Sequence, residues 1–293
     1  MFRIRIQNKK KCIWYCSAVV SFLLFLLLLG WTNHLANTQD AQQMAGRWSE
    51  KKDVAQISCF FSSKAEVTED TIQSFEYSLK NVLQEASITE TSENPSARLW
   101  VDAYSADGKI TLVNGKNTLD ANAIGIGGDF FMFHPLKLIT GSYFSGNDLM
   151  QDYCIIDQDA AWQLFGSNDV VGMTVYIGNV PHIVTGVVQR PDSRMDKAAG
   201  LNSTVVYVSY ETLSAYGTNN GINHYEIVMP NPVDEFAYSK VKEGIGIDEK
   251  NVEIVENSRR YSLPNRIKTI LAFGTRSMNG KAIIYPYWEN LAR

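Results

Sequence analysis

Hydrophobic and polar positions divide the chain into stretches with different periods. From Cys12 to Trp31, "CIWYCSAVVSFLLFLLLLGW" holds no charged residue. At ~1.5 Å per residue, about twenty such residues in a helix cross a hydrocarbon core of roughly 30 Å. The pattern predicts a membrane-spanning helix over 13–31, and the polar run that follows predicts a juxtamembrane connector over 32–53. "VAQISCFF" then predicts a strand. In "TEDTIQSFEYSLKNVLQEA", Ile72, Phe75, Leu79, Val82, Leu83 and Ala86 recur at helical spacing, and Glu69 and Asp70 stand where acids complement the helix dipole. "ARLWVDAYSADGKITLV" predicts two strands joined at Asp107-Gly108, a dipeptide that favours hairpin turns.

The middle of the chain, from about Leu119 to Gln189, is rich in strands and glycine. Beyond it, "STVVYVSYETLSAYG" and "INHYEIVMP" predict strands with short helical turns, "VDEFAYSKVKEGI" a helix and "NVEIVENS" a strand. This second set echoes the first. The predicted fold class is α+β: an N-terminal transmembrane helix, then an extracytoplasmic domain of two βαβ-like units with an inserted strand-rich subdomain. The body is expected over 54–265, its inserted part over about 115–202, and a basic tail over 266–293. Tyr285, Tyr287 and Trp288 end that tail beside Lys281 and Arg293, a combination suited to membrane headgroups. The tail is expected to be loose in this chain.

Charge adds an orientation. Arg3, Arg5, Lys9, Lys10 and Lys11 precede the apolar run with no acid among the first 30 residues, leaving 22 basic against 31 acidic groups in the remainder. The positive-inside rule puts residues 1–12 in the cytoplasm and everything after Trp31 outside. A cleaved signal peptide shares the basic start. The length of the run, and the lack of a small-x-small pattern in "TNHLANTQD", favour an uncleaved anchor in the cell membrane. An acidic body argues against a nucleic-acid partner.

Motifs for chemistry are weak. "GIGGDF", Gly125 to Phe130, lacks the third glycine of a dinucleotide loop and reads as a turn or bulge where backbones approach closely. "GTRSMNGK", Gly274 to Lys281, has five residues between its glycines and Ala282 where a phosphate loop needs a hydroxyl. His34, His134, His182 and His224 show no paired ligand spacing and read as surface or strand histidines. Cys59 and Cys154 are expected as two buried thiols, though their spacing leaves a disulfide open. No catalytic, cofactor-binding or metal-ligating residue is predicted, and no cofactor.

"DQDAAWQLFGSNDVVGMTVYIGNVPHIVTGVV", Asp157 to Val188, carries acids, glycines, a Trp and a His, yet structural roles account for them. Asp157 or Asp159 caps a short helix with Ala160, Ala161, Leu164 and Phe165 on one side, and Gly166 ends it. "MTVYI" and "HIVTGVV" follow as strands around the turn "GNVP". Loss of either acid is expected to cost about 1 kcal/mol, and Phe165→Ala roughly 3 to 5 kcal/mol if that ring is core.

The segment from Gly141 to Val188 resembles the MacB-like periplasmic core domain of ABC transporter permeases of the MacB/FtsX type. The resemblance runs through Gly141, Phe144, Asp148, Ile155, Ile156, Leu164, Phe165, Gly166, Val171, Gly172, Val175, Ile177, Val184, Gly186 and Val187. Of these, Gly141, Phe144, Asp148, Leu164, Phe165, Gly166, Gly172 and Gly186 are taken as a structural family motif. Met173 and Val170 depart from the family's common lysine and proline. The resemblance implies a non-catalytic permease subunit, or its extracytoplasmic part, for export or release of a lipid, peptide or drug. It also implies a cytoplasmic ABC ATPase partner, contact with membrane lipid, and a homodimer or heterodimer of permease subunits. The three later membrane helices it implies have no counterpart before Arg293, so the expectations are a piece of a longer permease or a single-pass relative. A membrane-anchored extracellular binding or sensor domain is the alternative.

Overall fold

The apolar run forms one helix, α1 (Lys9–Asn37), six residues longer at its C-terminal end than the pattern predicts. Its apolar side chains from Ile13 to Leu28 are exposed, and it is long and apolar enough to cross a membrane. A helix apolar all round, with its long apolar side chains exposed, suits hydrocarbon. The computed structural model describes residues 9–49, 53–89, 98–272 and 281–293. The chain divides after Gln39 into two units, and all that follows concerns the second, Asp40–Arg293.

A short helix α2 (Met44–Trp48) leads into β1 (Val54–Phe61), α3 (Glu69–Glu85), β2 (Val101–Asn114) and β3 (Asn117–Gly128). Then come α4 (Phe130–Phe133), β4 (Lys137–Gly141), β5 (Tyr153–Asp157), α5 (Gln158–Phe165), β6 (Thr174–Ile177), β7 (Val180–Gln189) and α6 (Arg194–Ala199). After these follow β8 (Val205–Ser209), α7 (Tyr210–Tyr216), β9 (Thr218–Asn219), β10 (His224–Pro230), α8 (Phe236–Gly244), β11 (Val252–Glu256), α9 (Asn257–Arg260) and α10 (Leu263–Leu271). A C-terminal helix, Tyr287–Ala292, completes the order.

All strands among the described residues belong to one sheet, β11-β1-β10-β2-β3-β8-β5-β7-β4, with β6 beside β2 and β7, and β9 beside β2. At one end the two predicted βαβ-like units interleave. β1-α3-β2 has β10 between its strands, and β10-α8-β11 has β1 between its own. This is a double split βαβ arrangement. Helices α3 and α8 cover one face of it, burying Ile72, Phe75, Leu79 and Leu83 of α3 and Ala237 and Val241 of α8 against Ile57, Cys59, Tyr225 and Ile227. Six residues of α3 were expected inward; Ala86 is exposed and Val82 half-buried.

At the other end the strands close. Pairings β2–β3–β8–β5–β7–β6 return to β2 through Leu112–Ile177 and Val113–Tyr176. Inside this ring lie Ala106, Ile110, Leu112, Ala123, Cys154, Ile156, Val175, Val184, Val206 and Val208, joined by Leu164 and Leu213 from α5 and α7. Cys59 and Cys154 are free and buried, in different cores.

Two expectations change. Asp107-Gly108 is no turn: β2 runs through it, pairing with Ile124 and Ala123, and the hairpin turns at Gly115-Lys116. Gly108 has another role, since a Cβ there would come within 2.3 Å of the Thr218 carbonyl of β9. A strand glycine marks close backbone approach as well as a turn. The end of the tail is also not free for a membrane surface. Ile283 bridges to Ser62, and Trp288 and Glu289 are buried in the body, because the aromatic ring is covered by apolar neighbours and the acid by Arg260. Helix α10, by contrast, has Ile267, Ile270 and Leu271 exposed. Gly274 to Gly280 of "GTRSMNGK" lie outside the described residues.

Candidate functional site

The second face of the split βαβ end is unlike the first. Successive strand residues face opposite ways. The residues of β10 that turn from α3 and α8 are therefore His224, Glu226 and Val228. Register places Ser58 of β1 opposite Glu226, and Phe60 of β1 and Ser105 of β2 opposite His224. His134, at the end of α4, completes the group. Arg47 holds α4 by donating to the carbonyls of Met132 (2.7 Å) and Phe133 (3.2 Å).

His134 Nε2 lies 3.0 Å from Glu226 Oε2, and His224 Nε2 lies 3.3 Å from Glu226 Oε1. All three side chains are almost fully buried, at 1 to 3% exposure. Ser58 donates to Glu226 Oε1 at 2.6 Å and receives a bond from Asn257 Nδ2 at 2.7 Å. Ser105 Oγ stands 3.4 Å from His224 Nδ1. Yet both ring nitrogens of His134, Nε2 of His224 and Oε2 of Glu226 have no hydrogen bond of adequate geometry among the described residues. His182 is the contrast, buried with partners on both nitrogens, Val180 O at 3.0 Å and Thr212 Oγ1 at 3.1 Å.

Burial favours the neutral form of His134 and pulls its pKa below the ordinary value. Burial alone would raise Glu226, but the two imidazoles outweigh it and hold the carboxyl well below the usual range. The cluster is thus a carboxylate facing imidazole nitrogens in a buried site. Trp288 covers it, its ring centroid 4.1 Å from that of His134 and 5.2 Å from that of His224. The C-terminal helix holds Trp288 there: Arg260 donates to both oxygens of Glu289 at 2.6 and 2.8 Å, and Gln42 Nε2 reaches the Trp288 carbonyl at 3.4 Å.

The family-motif residues lie elsewhere and shape the backbone. Gly141 at the end of β4 pairs with Gly186 of β7, with φ +87; a Cβ there would fall 2.1 Å from Thr185 O. Phe144 is core, and Asp148 accepts the Ser145 N–H at 2.9 Å. Gly166 ends α5 at φ +74 and Gly172 has φ +81. Leu164 is buried in the ring but Phe165 is only half-buried, so the large cost expected for losing that ring belongs to Leu164. Asp157 caps α5 by accepting Ala160 N–H at 2.8 Å, and it also takes Val205 N–H at 3.0 Å and Arg190 at 2.5 Å. Asp159 pairs with the same guanidinium.

Reading the histidines one by one missed the cluster, since His134 and His224 are 90 positions apart and meet through the sheet. The usable signal was His224-Tyr225-Glu226, two polar residues on one face of an otherwise apolar strand.

The architecture defines a body built on a split βαβ sheet continued into a closed ring of strands, joined to one apolar helix of membrane-spanning length. Residues 21–251 match the family model for the MacB-like periplasmic core domain, and the chain belongs to that family. Relatives include the macrolide export ATP-binding/permease protein MacB of Chromobacterium violaceum, 32% identical over 99 residues, or 33% of this chain and 15% of the relative. MacB of Shewanella sp. (strain W3-18-1) is 31% identical over 120 residues, or 39% of this chain and 18% of the relative. The chain thus spans under a fifth of the length of these two relatives. Among solved structures, the extracellular domain of the noncanonic ABC-type transporter YknZ from Gram-positive bacteria is 19% identical at a TM-score of 0.45, covering 68% of this chain and 99% of that one. The periplasmic region of MacB from Actinobacillus actinomycetemcomitans is 19% identical at a TM-score of 0.44, covering 74% and 92%.

Proposed function

We propose that the chain is a permease subunit of an ABC transporter, or the anchored extracytoplasmic part of one, working with a separate cytoplasmic ATPase to export or release a lipid, peptide or drug. The match to the family model over residues 21–251, continuous with one apolar helix, carries this reading. In it, residues 1–12 are cytoplasmic, 54–265 form the outer body with its strand-rich part at about 115–202, and no residue of this chain does bond-breaking chemistry. The body's part is mechanical. Motion delivered at the connector reaches the sheet through Met44, whose N–H donates to Gln56 Oε1 at 2.8 Å, and through Gln56 Nε2, which donates to Ala41 O at 2.6 Å.

A second reading, a membrane-anchored binding or sensor domain with no ATPase, draws on a cavity of about 510 Å³ lined by Lys80, Gln84, Arg98, Trp100, Asp102 and Asp129. One experiment separates the two. The tagged full chain, purified in mild detergent from cells at native expression, is expected to retain a P-loop ATPase, with ATP hydrolysis lost when that partner's phosphate-loop lysine is replaced. Recovery of a folded chain with no ATPase would overturn the first reading in favour of the second.

A further inference from the structure

The group His134, His224 and Glu226 is more than a set of paired polar residues. One donor atom from each lies within 4.8 Å of the other two. The His134–Glu226 and His224–Glu226 separations are 3.0 and 3.3 Å. Tetrahedral ligands at bond lengths of about 2.0–2.1 Å stand roughly 3.3 Å from one another, so small shifts of side chains suffice to surround an ion.

Hydrogen bonding leaves atoms of the same three residues unpartnered. His134 Nε2 and Glu226 Oε2 are at bonding distance but off the line of a hydrogen bond, and His224 Nε2 is likewise without a partner among the described residues. Buried polar atoms without partners are costly and rare. Two outer contacts of the kind that metal ligands use are already present. Ser58 orients the carboxylate from one side and is itself held by Asn257. Ser105 lies beside Nδ1 of His224, leaving Nε2 turned to the cluster.

We propose that His134, His224 and Glu226 bind a divalent transition-metal ion of the zinc class. Two imidazoles with one carboxylate suit zinc, cobalt, nickel or iron(II) and are a poor set for calcium or magnesium, which take oxygen ligands. The ion would tie β10 to the end of α4 beneath Trp288. Its role would be structural, clamping the face of the sheet on which the C-terminal helix rests. Because Trp288 covers the cluster, the ion would enter during folding or when the C-terminal helix lifts.

The test uses the full chain in detergent, from cells grown with zinc or with cobalt and purified without chelator. One equivalent of metal per folded chain is expected, with ligand-field bands in the cobalt form and a higher thermal midpoint than after chelation. The His134→Gln/His224→Gln double variant should lose the metal while the circular dichroism of the body persists. X-ray absorption of the zinc form should count two imidazoles, a measurement that decides the matter if the double variant fails to fold. A folded wild-type chain with only traces of metal, a double variant that keeps its metal, or fewer than two imidazoles on the zinc would each overturn the proposal. A result of metal-free protein would leave the transporter reading untouched.

Discussion

The closed ring of strands and the split βαβ end share one sheet but are filled differently. The ring encloses mainly Ile, Val, Leu and Ala, its few buried polar side chains, His182, Ser209 and Thr212, bond to one another, and Asp157 and Arg190 meet at its edge. The split end packs one face just as conventionally under α3 and α8, while its other face carries Gln56, Ser58, Ser105, His224 and Glu226, all buried. Apolar packing tolerates many partners. A buried polar row does not, because each group needs its own partner in place. The ring therefore sets stability and the polar face sets which segments may cover it.

The largest expected effect sharpens this contrast from the ring side. Leu164→Ala should cost about 3 to 4 kcal/mol, within the range for truncating a buried leucine, whereas Phe165→Ala should cost clearly less, since its ring is only half-buried. Urea unfolding of the two variants measures the difference. Equal losses would mean that the ring is not the principal core.

From the other side, Arg260→Met leaves Glu289, 1% exposed, with its main counter-charge gone. About 3 kcal/mol of destabilisation follows from stranding a buried charge, confined to the tail. Hydrogen exchange should quicken across 283–292 and stay slow in 153–189. Quickening in both regions would show that the two ends unfold as one.

Within the ring, the two acids around Arg190 should separate. Asp157 has three partners and is 1% exposed, so Asp157→Asn should cost roughly 2 kcal/mol, as for hydrogen bonds to charged groups. The side chain of Asp159 is 46% exposed, and Asp159→Asn should stay within about 0.5 kcal/mol. Thermal denaturation would show the ranking, and a reversed order would make Asp159 the anchor of Arg190.

The last effect is one of pH. Burial, and then the neighbouring Asp102, push Glu76 on α3 up to about 8. Between its ordinary value near 4.5 and this one, the folded chain binds more protons than the unfolded chain, so stability falls as pH rises through that window. Glu76→Gln, neutral throughout, should flatten the decline measured by thermal midpoint. An unchanged slope would place its origin elsewhere.

Much of this was legible in the residues. The period of the α3 pattern set its buried face, and α5 was bounded by its own cap and glycine. Gly178-Asn179, with φ +57 and +65, turned the β6–β7 hairpin where a glycine-asparagine pair was read as a turn. Asp107-Gly108 misled because the same dipeptide serves a turn or a close approach within a strand, and only β9 passing Gly108 decides between them. Arg190 gave no signal at all, since its two partners lie more than 30 positions away.

The sequence by itself determined the apolar span, the helix and strand periods, the caps and the glycine turns, because each depends on backbone conformation and side-chain spacing within a few residues. Tertiary structure decided the interleaving of the two βαβ units, the closing of the ring through β6, the return of Trp288 to the sheet and the meeting of His134 with His224 and Glu226. Those contacts join residues tens to hundreds of positions apart, Gln42 and Trp288 among them. Nothing local specifies such pairs. They exist only once strand register has placed both partners on the same face.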